Sequence, residues 1–270
     1  MDQYKVYGNP IKQSKSPLIH TEFAKQTDQA IEYTSQLSEL DTFEQDIAHF
    51  IKAGGKGCNV TMPFKERAFN LANKVSERAQ LAQAANTLSF LEDGTIEADT
   101  TDGPGLVNDL LANGICLKGM SILLVGAGGA ASGVIQPLLQ SQPRMLVIAN
   151  RTVSKATELA QRFGHFGNIE AKAFNELDES YDLVINSTST SLTNELPAVP
   201  SKIFKQNAYA YDMVYGDKPT LFVEWAYQNG VKLALDGLGM LVGQAAESFY
   251  IWRNVKPDLL AVVEKLRGEL

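Results

Sequence analysis

Short apolar runs typical of buried strands alternate with longer segments whose apolar residues recur at helical spacing, and this alternation predicts an α/β fold. Pro17 and Pro63 stand near two predicted helix starts, where the missing N–H of proline costs least. In the first hundred residues the predicted strands are 4–7, 31–37, 57–60, 86–91 and 95–98. One helix is predicted after Pro17, one from about 41 to 53, and further helices from 63 to about 82.

The second half of the chain continues the alternation in a form that predicts a doubly wound parallel sheet. Its predicted strands are 122–125, 145–149, 181–186, 209–212 and 232–235, with 220–228 as a crossover helix. Two last helices, about 240–253 and 257–266, have no strand after them, so we expect them to pack back on the first domain. The predicted organisation is an N-terminal α/β domain of residues 1–101 completed by 238–270, a Rossmann-type domain of residues 102–237, and a cleft between the two.

Composition narrows the function classes without naming one. The chain has 270 residues, enough for two modest domains, with 44% hydrophobic and 20% charged residues and a net charge of −7. No run of basic residues suggests a nucleic-acid or membrane partner, and no apolar run suggests a signal peptide or a membrane span, so we expect a cytoplasmic protein. Cys58 and Cys116 are predicted to be reduced structural residues, and no cysteine, histidine or carboxylate spacing indicates a metal site. Monomer and homodimer both remain open.

A glycine-rich segment directly after a predicted strand indicates a dinucleotide site. The pattern is Gly126-x-Gly128-x-x-Ala131, in which alanine takes the third place, where close packing of helix on strand needs only a small side chain. The glycines allow a tight turn into a helix whose free N–H groups can bind a pyrophosphate. The residues assigned to this loop are Gly126, Ala127, Gly128, Gly129 and Ala130.

The end of the next strand indicates which dinucleotide is bound. NAD-binding folds place an acidic residue there on the ribose 2′-hydroxyl, whereas this chain has Asn150-Arg151-Thr152 followed by Lys155. A guanidinium fork and a second cation suit a phosphate, so the predicted cofactor is NADP. The alternative is that Arg151 and Lys155 are ordinary solvated charges at a helix start.

Four polar clusters fall where strands of the first domain should end, which is where open α/β sheets bind ligands. They are Ser14-Lys15-Ser16-Pro17, Asn59-Val60-Thr61-Met62-Pro63-Phe64-Lys65, Ala85-Asn86-Thr87 and Thr100-Thr101-Asp102-Gly103. Hydroxyls and amides dominate, which suits a polyhydroxylated anionic small molecule. Reduction of a ketone needs one proton donor at the carbonyl oxygen, and Lys65 with Asp102 are the candidates for that proton transfer. The alternative for Lys65 is a surface lysine in the first turn of a helix.

A set of motifs follows in order along nearly the whole chain. The motifs are Gly8-Asn9-Pro10-Ile11 with Ser14-Lys15-Ser16-Pro17, Asn59-Val60-Thr61-x-Pro63-x-Lys65, Asn86-Thr87, Thr101-Asp102-Gly103, Gly126-Ala127-Gly128-Gly129-Ala130, Asn150-Arg151-Thr152, and Asp236-Gly237-Leu238-Gly239-Met240-Leu241-Val242. Together they closely resemble the shikimate dehydrogenase family. The resemblance implies reversible NADPH-dependent reduction of 3-dehydroshikimate to shikimate, in the pathway to chorismate and the aromatic amino acids.

The same resemblance implies roles for individual residues. Lys65 and Asp102 match the catalytic pair of the family. The implied substrate residues are Ser14, Ser16 and Thr61 at the carboxylate, Asn86 and Asp102 at the ring hydroxyls, and Tyr215 and Gln244 on the far side of the pocket. Asn150, Arg151, Thr152 and Lys155 match the NADP-phosphate clamp, while Met213 and Gly237 should border the nicotinamide.

Several positions depart from the usual family pattern. Gln83 stands where glycine begins the run to Asn86, and Thr100 stands where asparagine is usual. Ser191 stands where glycine is common, and a serine takes a positive φ less cheaply than glycine. Gln13 and Thr21 also differ from many relatives.

Two other functions fit the same scaffold. One is a quinate/shikimate dehydrogenase of broader cofactor range, against which Arg151 argues because an NAD-using relative would be expected to have an acidic residue there. The other is a non-catalytic NADP-binding sensor, which would have no need of Lys65 and Asp102 together.

Overall fold

The computed structural model describes residues 1–269, which form two compact units, each with its own sheet. The first unit is Met1–Gly105 with Val242–Glu264, and the second is Leu106–Leu241 with the described residues from Lys265 onward. The last helix therefore divides between the units near its end. A physical reason is the pairing of Arg267 with Asp236, whose carboxylate accepts two guanidinium N–H groups at 2.6 and 2.8 Å.

The first unit is built on a mixed sheet of six strands. The strands are β1 (Asp2–Gly8), β2 (Ile31–Leu37), β3 (Gly57–Val60), β4 (Lys74–Val75), β5 (Thr87–Phe90) and β6 (Ile96–Asp99), in the order β2-β1-β3-β5-β6-β4. All neighbours are parallel except β5, which runs antiparallel to both β3 and β6. The helices that begin or lie within this unit are α1 (Ser16–Gln26), α2 (Phe43–Lys52), α3 (Lys65–Leu71), α4 (Glu77–Ala82) and α5 (Asp102–Ala112).

An apolar helix stripe forms one side of this unit's core. Phe43, Ile47 and Phe50 recur at the spacing of one helical face of α2, and all three are buried. Phe43 stacks on Phe64, which immediately precedes α3, with ring centroids 4.7 Å apart. Because Phe64 is anchored in this core, the neighbouring Lys65 begins its helix at a fixed place beside the sheet.

The second unit is the doubly wound sheet. Its strands are β7 (Ser121–Val125), β8 (Met145–Ala149), β9 (Ile169–Lys172), β10 (Tyr181–Asn186), β11 (Phe204–Asp212) and β12 (Leu233–Leu235), in the order β12-β11-β10-β7-β8-β9. Every pair is parallel, and the strand order reverses between β7 and β10. The remaining helices are α6 (Gly129–Gln140), α7 (Val153–Phe163), α8 (Leu221–Gln228), α9 (Leu238–Arg253) and α10 (Leu259–Gly268). The two-domain α/β fold is thus confirmed.

Two strands were not predicted from the sequence. The segment 63–82 was expected to be helical throughout, but β4 separates α3 from α4 and pairs with β6. Two residues are too few to show a strand period, and Ser76 then starts α4 by accepting a hydrogen bond from Ala79 N–H at 3.2 Å. The edge strand β9 was also missed, because its four residues Ile169–Lys172 are mostly half-buried and carry two charges.

The C-terminal end of α4 explains one departure from the family pattern and gives a stability prediction. Gln83 has φ 54°, a left-handed conformation that glycine adopts more cheaply than any residue with a Cβ atom. We expect Gln83→Gly to be more stable than Gln83→Ala by about 1 kcal/mol, because both lose the side-chain hydrogen bond to Gln80 O but only alanine keeps the steric cost. Urea unfolding of the two variants measures this difference, and equal midpoints would contradict it.

Candidate active site

A lysine and an aspartate that are 37 positions apart meet at the carboxyl edge of the first sheet. Lys65 is the first residue of α3, and Asp102 is the first residue of α5, just beyond β6. Lys65 Nζ donates to Asp102 Oδ2 at 2.6 Å, with the two side chains 33% and 14% exposed. The ammonium therefore keeps access to a ligand while its carboxylate partner is largely shielded.

Asn86 completes the arrangement from the other side of the carboxylate. Its Nδ2 donates to Asp102 Oδ1 at 2.9 Å and to Gln244 Oε1 at 3.2 Å. Asp102 therefore accepts one donor on each oxygen, from Asn86 and from Lys65. Of the residues proposed from sequence, the structure brings these four together within one unit.

The three hydroxyl residues predicted at a substrate carboxylate lie beyond the same edge of the sheet, two in loops and Ser16 at the first position of α1. Ser14 and Ser16 follow β1, Thr61 follows β3, and these two strands are paired up to Tyr7 and Val60. Ser16 N–H donates to Ser14 Oγ at 3.3 Å, which fixes the turn into α1. Gly8 is needed here, since a Cβ atom at this position would lie 2.4 Å from Thr61 Cγ2.

In the second unit, the glycine loop has the shape that an anion-binding turn requires. Gly126 has φ +112°, and a Cβ atom there would lie 2.6 Å from Ser187 Oγ. By contrast, Cβ atoms at Gly128 and Gly129 would meet nothing within 4 Å, and both residues are exposed at the start of α6. The N–H groups of this helix start are therefore open to a ligand, while Ala131 packs fully buried beneath it.

The end of β8 carries an unusual concentration of positive charge at a helix start. α7 begins at Val153 with no acidic residue in its first turn, and Arg151 and Lys155 are both exposed there. Cations next to the positive end of a helix dipole are unfavourable without an anion between them. Asn150 Nδ2 donates to Thr152 O at 2.9 Å, which holds the connecting turn.

Met213 and Gly237, predicted to border the nicotinamide, are in direct backbone contact. A Cβ atom at Gly237 would lie 2.2 Å from Met213 O, and Gly237 N–H donates to Val214 O at 3.1 Å. Tyr215 follows in the same unit, where burial raises the pKa of its hydroxyl. Its contact with a substrate stays a prediction.

Asp212 is a buried carboxylate that the sequence reasoning did not single out. It accepts hydrogen bonds from Ser191 Oγ at 2.5 Å, Thr220 Oγ1 at 2.6 Å, Val214 N–H at 3.1 Å and Asn186 Nδ2 at 3.2 Å. Burial raises its pKa, and the first three of these donors oppose that rise most. The departure at Ser191 needs no positive φ, which occurs instead at Asn194, and its hydroxyl ties the loop after β10 to the end of β11.

None of the three histidines is among the residues assigned to the substrate or the cofactor. His20 is fully buried and stacks on Tyr33, whereas His49 and His165 are exposed. Within residues 1–269, no group of three or more histidine, cysteine, aspartate or glutamate side chains is arranged to hold a metal ion. Over the same range no helix is both long and apolar enough to cross a bilayer.

Family models match three consecutive parts of the chain. They are the shikimate dehydrogenase substrate binding domain at residues 6–88, shikimate / quinate 5-dehydrogenase at 110–199, and the shikimate 5'-dehydrogenase C-terminal domain at 237–267. The NADP(+)-dependent shikimate dehydrogenase of Vibrio cholerae serotype O1 is 53% identical over 270 residues, covering 100% of this chain and 97% of the relative. The chain belongs to the shikimate dehydrogenase family. The shikimate dehydrogenase (NADP(+)) of Psychromonas ingrahamii is also 53% identical, over 100% of this chain and 99% of the relative.

Solved structures of the shikimate dehydrogenase family and its neighbours share the whole fold. The crystal structure of an Ael1 enzyme from Pseudomonas putida has a TM-score of 0.95 at 46% identity, covering 98% of each chain. Shikimate 5-dehydrogenase from Thermus thermophilus, in complex with NADP(H) and shikimate, has a TM-score of 0.89 at 30% identity, covering 100% of each chain. The resemblance to the shikimate dehydrogenase family read from the sequence is thus confirmed.

Proposed function

We propose that this family member catalyses the reversible NADPH-dependent reduction of 3-dehydroshikimate to shikimate. The observation that carries the proposal is the Lys65–Asp102 contact of 2.6 Å, with Asn86 on the second carboxylate oxygen. A sensor that only binds NADP has no use for such a proton-transfer pair. The curated relatives named above are NADP(+)-dependent shikimate dehydrogenases, and the Thermus thermophilus structure holds both NADP(H) and shikimate.

The roles of the two units follow from the side chains that each one contains. We assign substrate binding to a domain of residues 1–101 completed by 238–270, and cofactor binding to a domain of residues 102–237, bounds that differ by a few residues from those of the two units and leave Asp102 at the boundary. The hydroxyls of Ser14, Ser16 and Thr61 are suited to a carboxylate, because they can donate hydrogen bonds without a buried counter-charge. Asn86, Asp102, Tyr215 and Gln244 would then contact the ring hydroxyls and the rest of the pocket.

Lys65 is the group that carries the transferable proton. Both oxygens of Asp102 accept hydrogen bonds, so the proton of the pair belongs to the ammonium. During reduction Lys65 gives a proton to the carbonyl oxygen, and during oxidation it takes one from the hydroxyl. Asp102 holds the ammonium in place in both directions and accepts a hydrogen bond from the substrate.

The open loop at Gly126–Ala130 and the cations near the start of α7 fit NADP. N–H groups at Gly128, Gly129 and Ala130 would bind the pyrophosphate, and Arg151 with Lys155 would bind the 2′-phosphate, supported by the turn at Asn150 and Thr152. Met213 and the backbone of Gly237 would border the nicotinamide. The cofactor, when bound, supplies the hydride that the protein side chains cannot.

The direct test is the absorbance change on NADP+ reduction with shikimate. Shikimate with NADP+ should give turnover, whereas quinate with NADP+ and shikimate with NAD+ should give rates lower by at least about tenfold in kcat/KM. Comparable turnover of quinate with NAD+ would favour a quinate/shikimate dehydrogenase of broader range. Absence of turnover with NADP binding intact would favour a non-catalytic sensor.

Cofactor choice can be tested separately at Arg151. We expect Arg151→Ala to raise the KM for NADP+ about tenfold or more while kcat stays near the wild-type value, because the lost contact is made equally before and during the reaction. The KM for NAD+ should change little. Arg162→Ala, about two and a half turns from the start of α7, is a control that should leave both KM values unchanged. Equal rises in both KM values would contradict a phosphate-specific role.

The proposed cellular location agrees with the state of the cysteines. We assign the protein to the cytoplasm, where its two free cysteines, one buried and one exposed, would stay reduced. Monomer and homodimer are both compatible with the proposed chemistry. Size-exclusion chromatography with light scattering separates the two.

A further inference from the structure

Three buried hydroxyls lie close together beside the Asn86 amide. They belong to Thr87 on β5, Thr101 after β6 and Ser248 on α9, and none of these residues is more than 1% exposed. Thr87 Oγ1 and Ser248 Oγ are 2.8 Å apart, and Thr101 Oγ1 and Ser248 Oγ are 3.2 Å apart. We call these three side chains the hydroxyl cluster. Its position deep in the first unit leaves it no direct contact with solvent.

The neighbours of the hydroxyl cluster determine where its protons go. Ser248 Oγ accepts from Asn59 Nδ2 at 3.0 Å, and its single proton can reach Thr87 Oγ1 at 2.8 Å or Gln244 O at 3.0 Å. When Ser248 donates to Thr87, the Thr87 proton is directed to Asn86 Oδ1, which lies 2.9 Å away. Thr101 Oγ1 lies 3.0 Å from Asn86 Nδ2 and 3.1 Å from Asn86 Oδ1, so it can accept from the amide or donate to it.

These donors fix the orientation of the Asn86 amide. Its Oδ1 accepts from Thr87 Oγ1 and from Thr101 N–H, both at 2.9 Å, so its Nδ2 faces Asp102, Gln244 and the Thr101 hydroxyl. If the amide were rotated by half a turn, Oδ1 would face the Asp102 carboxylate. Acceptor would then meet acceptor, and the Asp102 oxygen would lose its donor.

We propose that Thr87 and Ser248 are positioning residues for the reaction, and that they act through Asn86. They hold its amide so that Asn86 donates to Asp102, which in turn holds Lys65. The inference rests on the proposed function, since the reaction that it affects is the one assigned to Lys65 and Asp102. Neither residue needs to touch the substrate for this effect.

The test compares Thr87→Val, which keeps the shape and removes the hydroxyl, with Thr87→Ser, which keeps the hydroxyl. We expect Thr87→Val to lower kcat for shikimate oxidation about tenfold, because a loosely held amide misplaces the catalytic pair. The KM for NADP+ should stay at the wild-type value, and Thr87→Ser should retain kcat within about threefold of wild type. Circular dichroism at the assay temperature would establish that each variant is folded.

Ser248→Ala provides an independent second variant. It removes the hydroxyl 2.8 Å from Thr87 Oγ1, so the Thr87 proton is no longer directed to Asn86, and it should lower kcat several-fold. Ser248 Oγ also lies 3.0 Å from the backbone oxygen four residues earlier, and Ser141→Ala is the control for that contact, because Ser141 Oγ donates to Pro137 O at 3.0 Å in the second unit. That control should keep wild-type kcat.

The outcomes separate this inference from the proposed function. If the wild-type protein oxidises shikimate but folded Thr87→Val or Ser248→Ala has wild-type kcat, the positioning role is wrong while the proposed function stands. A fall in kcat that Thr87→Ser does not restore would likewise overturn it, because the hydroxyl would then not be the group that matters. Lack of any turnover by the wild-type protein would instead reject the proposed function.

Discussion

Replacement of Lys65 by methionine is expected to lower kcat about 10³-fold, because the variant keeps most of the side-chain length but has no proton to give the carbonyl oxygen. The affinity for NADP+ should remain within about twofold of wild type, since Lys65 lies on α3 of the first unit and the cofactor is assigned to residues of the second. Steady-state kinetics with shikimate and a separate titration with NADP+ measure the two quantities.

Lys74→Met is a well-matched control for this experiment. Lys74 Nζ also lies 2.6 Å from a carboxylate oxygen, that of Glu97, but its side chain is 72% exposed, against 33% for Lys65. An exposed ion pair of this kind contributes little to stability, so Lys74→Met should leave kcat unchanged. Near-wild-type turnover by Lys65→Met would remove the lysine from the mechanism, whatever the substrate.

The second large effect concerns acid stability and comes from His20. Burial lowers the pKa of this histidine to about 3 from its ordinary 6.5, and neighbouring Asn59 opposes that shift only in part. Below pH 6.5 the unfolded chain binds a proton at this position and the native protein does not, so stability falls as the pH falls towards 3. Between pH 7.5 and pH 5 the loss from His20 alone should be about 2 kcal/mol of unfolding free energy.

His20→Phe isolates this contribution. The phenyl ring can keep the stacking on Tyr33, where the imidazole lies with ring centroids 4.0 Å apart and planes at 6°. Denaturant unfolding at the two pH values should show a loss about 2 kcal/mol smaller in His20→Phe than in wild type. His49→Gln, which removes an exposed histidine, should lose as much as wild type. A His20→Phe curve parallel to that of wild type would contradict the assignment.

Lys65 and Asp102 show which features of the site can be predicted from local sequence. A lysine at a predicted helix start and an aspartate at the end of a predicted strand were both visible in the sequence, as was the glycine turn after β7. The roles proposed for the two residues depend on the family resemblance, because periodicity alone fits Lys65 equally well as a surface residue. The contact between them depends on which strands are neighbours, and strand order is not encoded in any single segment.

Two positions that differ from the family pattern have different backbone conformations. Gln83 and Ser191 both stand where the family commonly has glycine. Only Gln83 has a positive φ, while Ser191 uses its hydroxyl to donate to the buried carboxylate of Asp212. The residue type at one position does not distinguish these cases, because the backbone conformation there depends on the contacts of the neighbouring segment.

The sequence by itself determined the alternation of strands and helices, the glycine turn after β7, the positive charge after β8 and the family to which the chain belongs, because these depend on short spacings and residue types. Tertiary structure alone decided the direction in which the Asn86 amide points, the convergence of three hydroxyls from β5, the loop after β6 and α9 beside it, and the burial of His20. These depend on residues as many as 161 positions apart, and such contacts exist only after the whole unit has packed.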